Sequence, residues 1–139
     1  MSTALQILQK IKSINVLQAA QESIEQTADD MVFIQKNQLF HGVRPDGRDV
    51  FPDYTPLTKF IKAQKGQPFD RVTRRDTGAY YRGIGVIIQG DKYEIQSTDD
   101  KAEMLDLKYG EIGLSQESKA SYIEILKPVF VEKITSRLQ

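Results

Sequence analysis

Apolar residues recur at helical spacing over residues 5–39, first as Leu5, Leu8 and Ile11, then as Leu17, Ala20, Ile24, Ala28, Met31, Ile34 and Leu39. A stripe this long has to be covered by another layer, so the rest of the chain must pack against it. Gln18, Glu22, Gln26, Asp29 and Lys36 fall off the stripe and form its wet side. Ser13 and Asn15 are poor helix formers whose side chains compete for backbone bonds. The spacing therefore predicts a short first helix, a bend at residues 13–15, and a longer second helix that Gly42 ends.

Residues 42–55 hold Gly42, Pro45, Asp46, Gly47, Pro52 and Asp53, too many turn formers for regular structure, which predicts an ordered loop. Thr55 before Pro56 is a helix start, because threonine accepts from an orphan amide and proline fits the first turn. A short helix is predicted over residues 56–64, with a stop at Gly66 and a second loop over residues 66–76. Residues 80–88 and 93–97 turn β-like around Gln89-Gly90-Asp91, which predicts a hairpin. Thr98 or Asp99 can cap a short helix over residues 101–107, ended by Gly110. From Ser115 onward Tyr122, Ile123, Leu126, Phe130, Ile134 and Leu138 return to helical spacing, with Pro128 predicted to kink or restart that helix.

The 139 residues suit one domain, divided into a helical segment 1–40, a loop with a short helix 41–78, a hairpin 79–98 and a helical segment 99–139. The expected fold class is α+β: a long N-terminal helix and a C-terminal helix packed on a small antiparallel sheet, with a long ordered central loop. Two strands alone bury too little, so a third strand is expected from the loops or from a neighbouring subunit.

Lys plus Arg and Asp plus Glu each number 19, which leaves no global charge to draw the chain to nucleic acid or membrane. The absence of cysteine removes thiol chemistry and thiolate metal sites, and a single histidine is a poor start for catalysis. The carboxylate pairs Asp29-Asp30 and Asp99-Asp100 are sequence neighbours and point apart on a helix, which makes them poor acid–base partners. His41 fits a helix C-terminus, where it caps carbonyls. Residues 44–49 lack the alternating carboxylates of a calcium loop. Asp76-Thr77-Gly78 reads as a turn, with the aspartate bonding an amide two residues on and glycine at positive φ, because the glycines at 78, 83 and 85 do not make a phosphate loop. Asp46-Gly47 and Tyr109-Gly110 are the other expected structural turns. No enzyme activity, metal or cofactor is expected, and with neither a secretory leader nor a bilayer-length apolar run the chain is expected in the cytoplasm before assembly.

Charge is nevertheless unevenly placed. Lys59, Lys62, Lys65, Arg71, Arg74 and Arg75 stand against Asp70 alone over residues 59–75. Asp99, Asp100, Glu103, Asp106 and Glu111 oppose only Lys101 and Lys108 over residues 99–111. Such runs are either solvated faces or complementary faces on opposite flanks, where a head-to-tail contact repeats about an axis and closes a ring. The basic run could also face DNA phosphates, although Phe60 and Phe69 alone offer little for base stacking.

The stretch Asn37-Gln38-Leu39-Phe40-His41-Gly42-Val43-Arg44-Pro45-Asp46-Gly47, the Pro52-Asp53-Tyr54-Thr55-Pro56-Leu57-Thr58 loop, Lys62, and Asp76-Thr77-Gly78-Ala79-Tyr80-Tyr81 opening a hairpin resemble the virion-morphogenesis proteins of Mu-like phages. Tyr109-Gly110 and a C-terminal helix reached through a proline resemble the tail-completion proteins of lambda-like phages. The resemblance runs over about residues 25–138 in order of elements, and departs at the charged helical stretch before Tyr109, where those proteins pass from strand to strand. It implies a structural virion protein at the neck or head–tail junction. Its implied partners are further copies of itself in a ring, other neck, portal or tail proteins, and DNA in the channel, with no membrane. A nucleic-acid-binding module using residues 59–75 is the alternative.

Overall fold

The computed structural model describes residues 3–13 and 15–138. Helix starts follow the local chemistry of the sequence. In α1 (Ala4–Ser13) the Thr3 hydroxyl accepts from the Gln6 amide while Gln6 accepts from the Thr3 amide, a reciprocal capping box. Asn15 accepts from the Gln18 amide to start α2 (Val16–Gln26). The break expected at residues 13–15 is therefore present as a boundary between helices, although Ile14 itself and the side chains of Ile11 and Ser13 lie outside the described residues.

The expected longer second helix is divided. It ends at Gln26, Thr27 is a junction with φ −105°, and α3 (Ala28–Phe40) follows. Thr27 is buried; its hydroxyl donates to the Ser23 carbonyl at 2.8 Å and lies 2.7 Å from the Tyr122 hydroxyl. Periodicity alone does not register this, because the apolar stripe continues across the junction.

Thr55 accepts from the Thr58 amide and Pro56 opens α4 (Pro56–Gln64). Ala79–Arg82 form a one-turn helix, α5, so Tyr80 and Tyr81 belong to a helix and not to the expected first strand. β1 (Ile84–Gln89) and β2 (Lys92–Ser97) pair antiparallel, with Ile84 opposite Ser97 and Gln89 opposite Lys92. Asp99 precedes α6 (Ala102–Tyr109) and accepts from the Lys101 amide, and Gly110 ends the helix at φ +89°. Ser115 accepts from the Ser118 amide to start α7 (Gln116–Leu138), which runs through Pro128 without restarting.

The fold is α+β, with helices over a two-stranded antiparallel sheet. Met31 and Leu39 of α3, Tyr80, Ile84, Ile95, Leu114 and Tyr122 of α7 form the core, so both the long N-terminal helical segment and the C-terminal helix meet the sheet there. Buried Gln38 joins these layers: its amide donates to the Gly113 carbonyl at 2.8 Å and its oxygen accepts from the Ser115 amide at 2.9 Å. Among the described residues no third strand joins the sheet; the central loop contributes only the isolated bridge Val43–Asp49. No helix among the described residues is long and apolar enough to cross a membrane.

Candidate functional site

Of the basic run, Lys62, Lys65, Arg74 and Arg75 line one cavity, whereas Lys59 and Arg71 do not. Lys59 pairs with Asp53 at 2.8 Å, and Lys65 with Asp76 at 3.2 Å, both at exposed positions. Arg75 is exposed. Arg71 donates through Nε to the Phe40 carbonyl at 2.7 Å, pairs with Asp70 at 2.8 Å and stacks over the Phe40 ring. Lys62 is buried: its ammonium donates to the Arg75 carbonyl at 2.7 Å and lies over the Tyr54 ring.

Arg74 departs furthest from the expectation of a surface cation. Its side chain is 3 % exposed, and one terminal nitrogen donates to Asp106 Oδ1 at 2.8 Å and to the Tyr80 hydroxyl at 3.2 Å. The other terminal nitrogen donates to the Gly110 carbonyl. The guanidinium also sits 5.7 Å from the ring centres of both Tyr80 and Tyr109. Arg74 has φ +59°, a left-handed conformation that a non-glycine residue adopts only where its surroundings hold it. Thr73 supplies that hold. Its amide donates to the Tyr54 hydroxyl at 3.0 Å, its carbonyl accepts from the Tyr81 hydroxyl at 2.6 Å, and its hydroxyl accepts from the Arg75 amide at 3.2 Å. Burial pushes the Tyr81 and Tyr80 phenols up from their ordinary range.

The expectation of basic and acidic faces on opposite flanks is thereby corrected at its centre. Arg74 of the basic run and Asp106 of the acidic run are bonded to each other within one chain, and Lys101 lies 3.9 Å from Asp76 across the same junction. Lys62 and Arg74 are turned inward, each less than a tenth exposed. Their donors reach backbone carbonyls, Lys62 that of Arg75 and Arg74 that of Gly110.

A cavity of about 340 Å³ lies at this junction, walled by Ile61, Lys62, Arg74, Lys101, Met104 and Leu105. On the far side of α6 a cleft of about 1250 Å³ runs along β2, and Asp99, Asp100, Glu103, Asp106 and Glu111 all line it. The acidic residues are thus gathered in one place. Asp106 alone of the five is bonded to an arginine.

The expected turns divide in their chemistry. Asp46 accepts from the Arg48 amide and Gly47 has φ +87°, as the pair requires. At the next turn Gly78 has φ +91°, but Thr77, not Asp76, accepts from the amide two residues on, because Lys65 takes the Asp76 carboxylate and holds it below the usual carboxylate range. Tyr109 is the buried last residue of α6, and Gly110 alone makes that turn. His41 caps α3 with Nδ1 2.8 Å from the Asn37 carbonyl. No group of three or more potential metal ligands occurs among the described residues.

Tyr54, Thr73, Tyr81 and Gln38 are the residues that pattern reading passes over. Their bonds span 8 residues for Tyr81 to Thr73, 19 for Tyr54 to Thr73, and 75 and 77 for Gln38 to Gly113 and Ser115, so no helical or strand period announces them. Compared with protein-family models, curated proteins and solved structures, the chain matches none of them.

Proposed function

We propose that this chain is a structural virion protein of a tailed bacteriophage that assembles with copies of itself into a ring at the neck or head–tail junction, and that it carries out no reaction. One observation carries the assembly part of this reading. The chain has 9405 Å² of accessible surface. A compact monomer of 15.8 kDa has about 7,300 Å², so the excess is about 2,100 Å². A specific interface buries about 800 Å² on each partner, so a ring subunit with two neighbours covers about 1,600 Å², which this excess would supply.

The exposed surface is also of the kind that assembly covers. Among the described residues, seventeen large hydrophobic side chains are exposed, several of them on α4 and α6. Leu57 on α4 is 68 % exposed and Leu107 on α6 is 84 % exposed, with Phe60, Phe69 and Met104 open nearby in sequence. The phage assignment rests on the order of elements: the helix ending at Gly42, the Asp-Gly turn, the Thr55 helix, the Thr-Gly turn and the C-terminal helix. The nucleic-acid reading has fewer free cations than its sequence suggests, since Lys62 and Arg74 are internal.

Size-exclusion chromatography with light scattering, followed by electron microscopy, tests the ring. A mass several times 15.8 kDa is expected. Leu57→Asp with Phe60→Asp is expected to lower that mass while circular dichroism stays unchanged. A strictly monomeric protein that is also missing from purified particles would sink the reading.

A further inference from the structure

The hairpin has an open side whose chemistry can be worked out from its register. Antiparallel pairs alternate between those that exchange backbone bonds and those that do not. The Thr98 amide donates to the Gly83 carbonyl at 3.0 Å, which makes 83–98 a bonded pair. Counting by twos along the register, Gly85–Gln96, Ile87–Glu94 and Gln89–Lys92 are bonded as well. The amides and carbonyls of Tyr93 and Ile95, with the Ser97 amide, therefore point away from β1, and no described group bonds to them.

That edge opens into the 1250 Å³ cleft. Every residue from 91 to 100 lines it, regardless of which sheet face its side chain takes, so the strand presents its backbone edge to the space. α6 and residues 111–114 form the opposite wall. Seven carboxylates line the cleft against Lys92 and Lys119 alone. Asp91, Glu94, Asp100, Glu103 and Glu111 are exposed, and among the described residues no ion pair engages them.

We infer that the open edge of β2 is an acceptor for an extended, lysine- or arginine-bearing segment of a partner protein, which adds as a third strand within the acidic cleft. Main-chain bonds to Tyr93, Ile95 and Ser97 supply the affinity, and the carboxylates select the charge of the guest. The same carboxylates disfavour the β2 edge of a second copy, because symmetric pairing would bring like charges together. A six-residue strand such as β2 is about 20 Å long, which suits a guest of similar length. This inference is tested apart from the ring, since Leu57 and Phe60 do not line the cleft, although Leu107 borders it.

The test is hydrogen exchange by mass spectrometry on the full chain, with an eight-residue peptide alternating lysine and valine as the probe and one alternating glutamate and valine as its control. Slowed exchange at residues 92–98 is expected with the lysine peptide alone. Glu94→Lys with Glu103→Lys, both at exposed positions, is expected to weaken binding at least tenfold with unchanged circular dichroism. Absence of protection, equal protection by both peptides, or indifference to the charge reversals would overturn the inference. So would protection of β2 that grows with protein concentration and no peptide, which would give the edge to a second copy. Light scattering on the same samples reports ring formation separately.

Discussion

Between α2, α3 and α7 an apolar layer centres on Met31, Leu39 and Tyr122, with the hydroxyls of Ser23, Thr27 and Tyr122 in the seam, Gln35 buried on α3 and Arg137 of α7 paired with Glu22 of α2. Between α3 and α5 the chain runs irregularly around α4 and buries Val72 as its only large aliphatic residue. That segment is tied down by long polar side chains reaching backbone atoms: Arg71 to Phe40, Tyr54 and Tyr81 to Thr73, Lys62 to Arg75, and Arg74 to Gly110. A helix satisfies its own backbone, so its side chains are free to make an apolar layer. An irregular segment cannot, and spends its cations and tyrosines on that task. Positive charge that reads in the sequence as a binding surface is in part internal bracing.

The largest break in this contrast comes from Arg74. Truncating one member of a buried ion pair leaves its partners without compensation, and such breaks cost about 3 to 5 kcal/mol. Asp106 is 37 % exposed and can recover some hydration, which places Arg74→Ala at the low end, about 3 kcal/mol. Arg75→Ala, next along the chain but exposed, is expected within about 0.5 kcal/mol of the parent. Urea denaturation of the three proteins checks this. Similar losses for both variants would show that Arg74 is not a brace.

A smaller effect compares single hydroxyls in the two regions. Tyr54→Phe leaves the buried Thr73 amide without its acceptor and removes a support of the strained φ at Arg74, for an expected loss of about 2 kcal/mol. Thr27→Val keeps the volume but removes the partner of the Tyr122 hydroxyl, for about 1 kcal/mol, since α2, α3 and α7 remain packed. Thermal unfolding of both variants ranks them. The reverse order would mean that the hydroxyl seam matters more to the helical layer than its apolar contacts do.

The elements that could be read in advance are those whose cause is local. Thr55-Pro56, Asp46-Gly47, Gly90-Asp91, Gly110 and the helix from Ser115 onward are each settled by neighbours within a few residues, and each appears where the spacing places it. Tyr80 and Tyr81 have strand propensity, yet Gly78 at φ +91° turns the chain into α5, where Tyr80 enters the core and Tyr81 reaches Thr73. The Thr27 junction depends on a tyrosine 95 residues later. The acidic residues of the candidate cleft were legible as a charge run, but the open edge beside them depends on the hairpin's register. Arg74 was legible as a cation; its burial was not, because nothing in its own segment marks Asp106 and Gly110 as its partners.

The smallest effect sits at the same junction and sharpens the comparison most closely, because Asp76 ties the same loop to α4 and α6 through solvent. Lys65 donates to its carboxylate at 3.2 Å and, with the added field of Lys101, holds its pKa below the ordinary 3.8. A carboxyl whose pKa is depressed in the folded state contributes stability above its unfolded value and loses it as pH falls through the folded one. The Lys65 and Asp76 side chains are 52 % and 53 % exposed, so solvent screens the pair and its worth is about 0.3 kcal/mol. Asp76→Asn should therefore be less stable than the parent by about that amount at about pH 6, and the gap should close by about pH 3. Added salt should close it as well. Denaturant melts of parent and variant at both pH values read the difference directly, without interference from other carboxyls common to the two proteins. A gap that persists in acid would mean that Asp76 acts through the geometry of the Thr77-Gly78 turn and not through its charge, and the exposed bridge would then belong with Arg74 as a shape-setting contact.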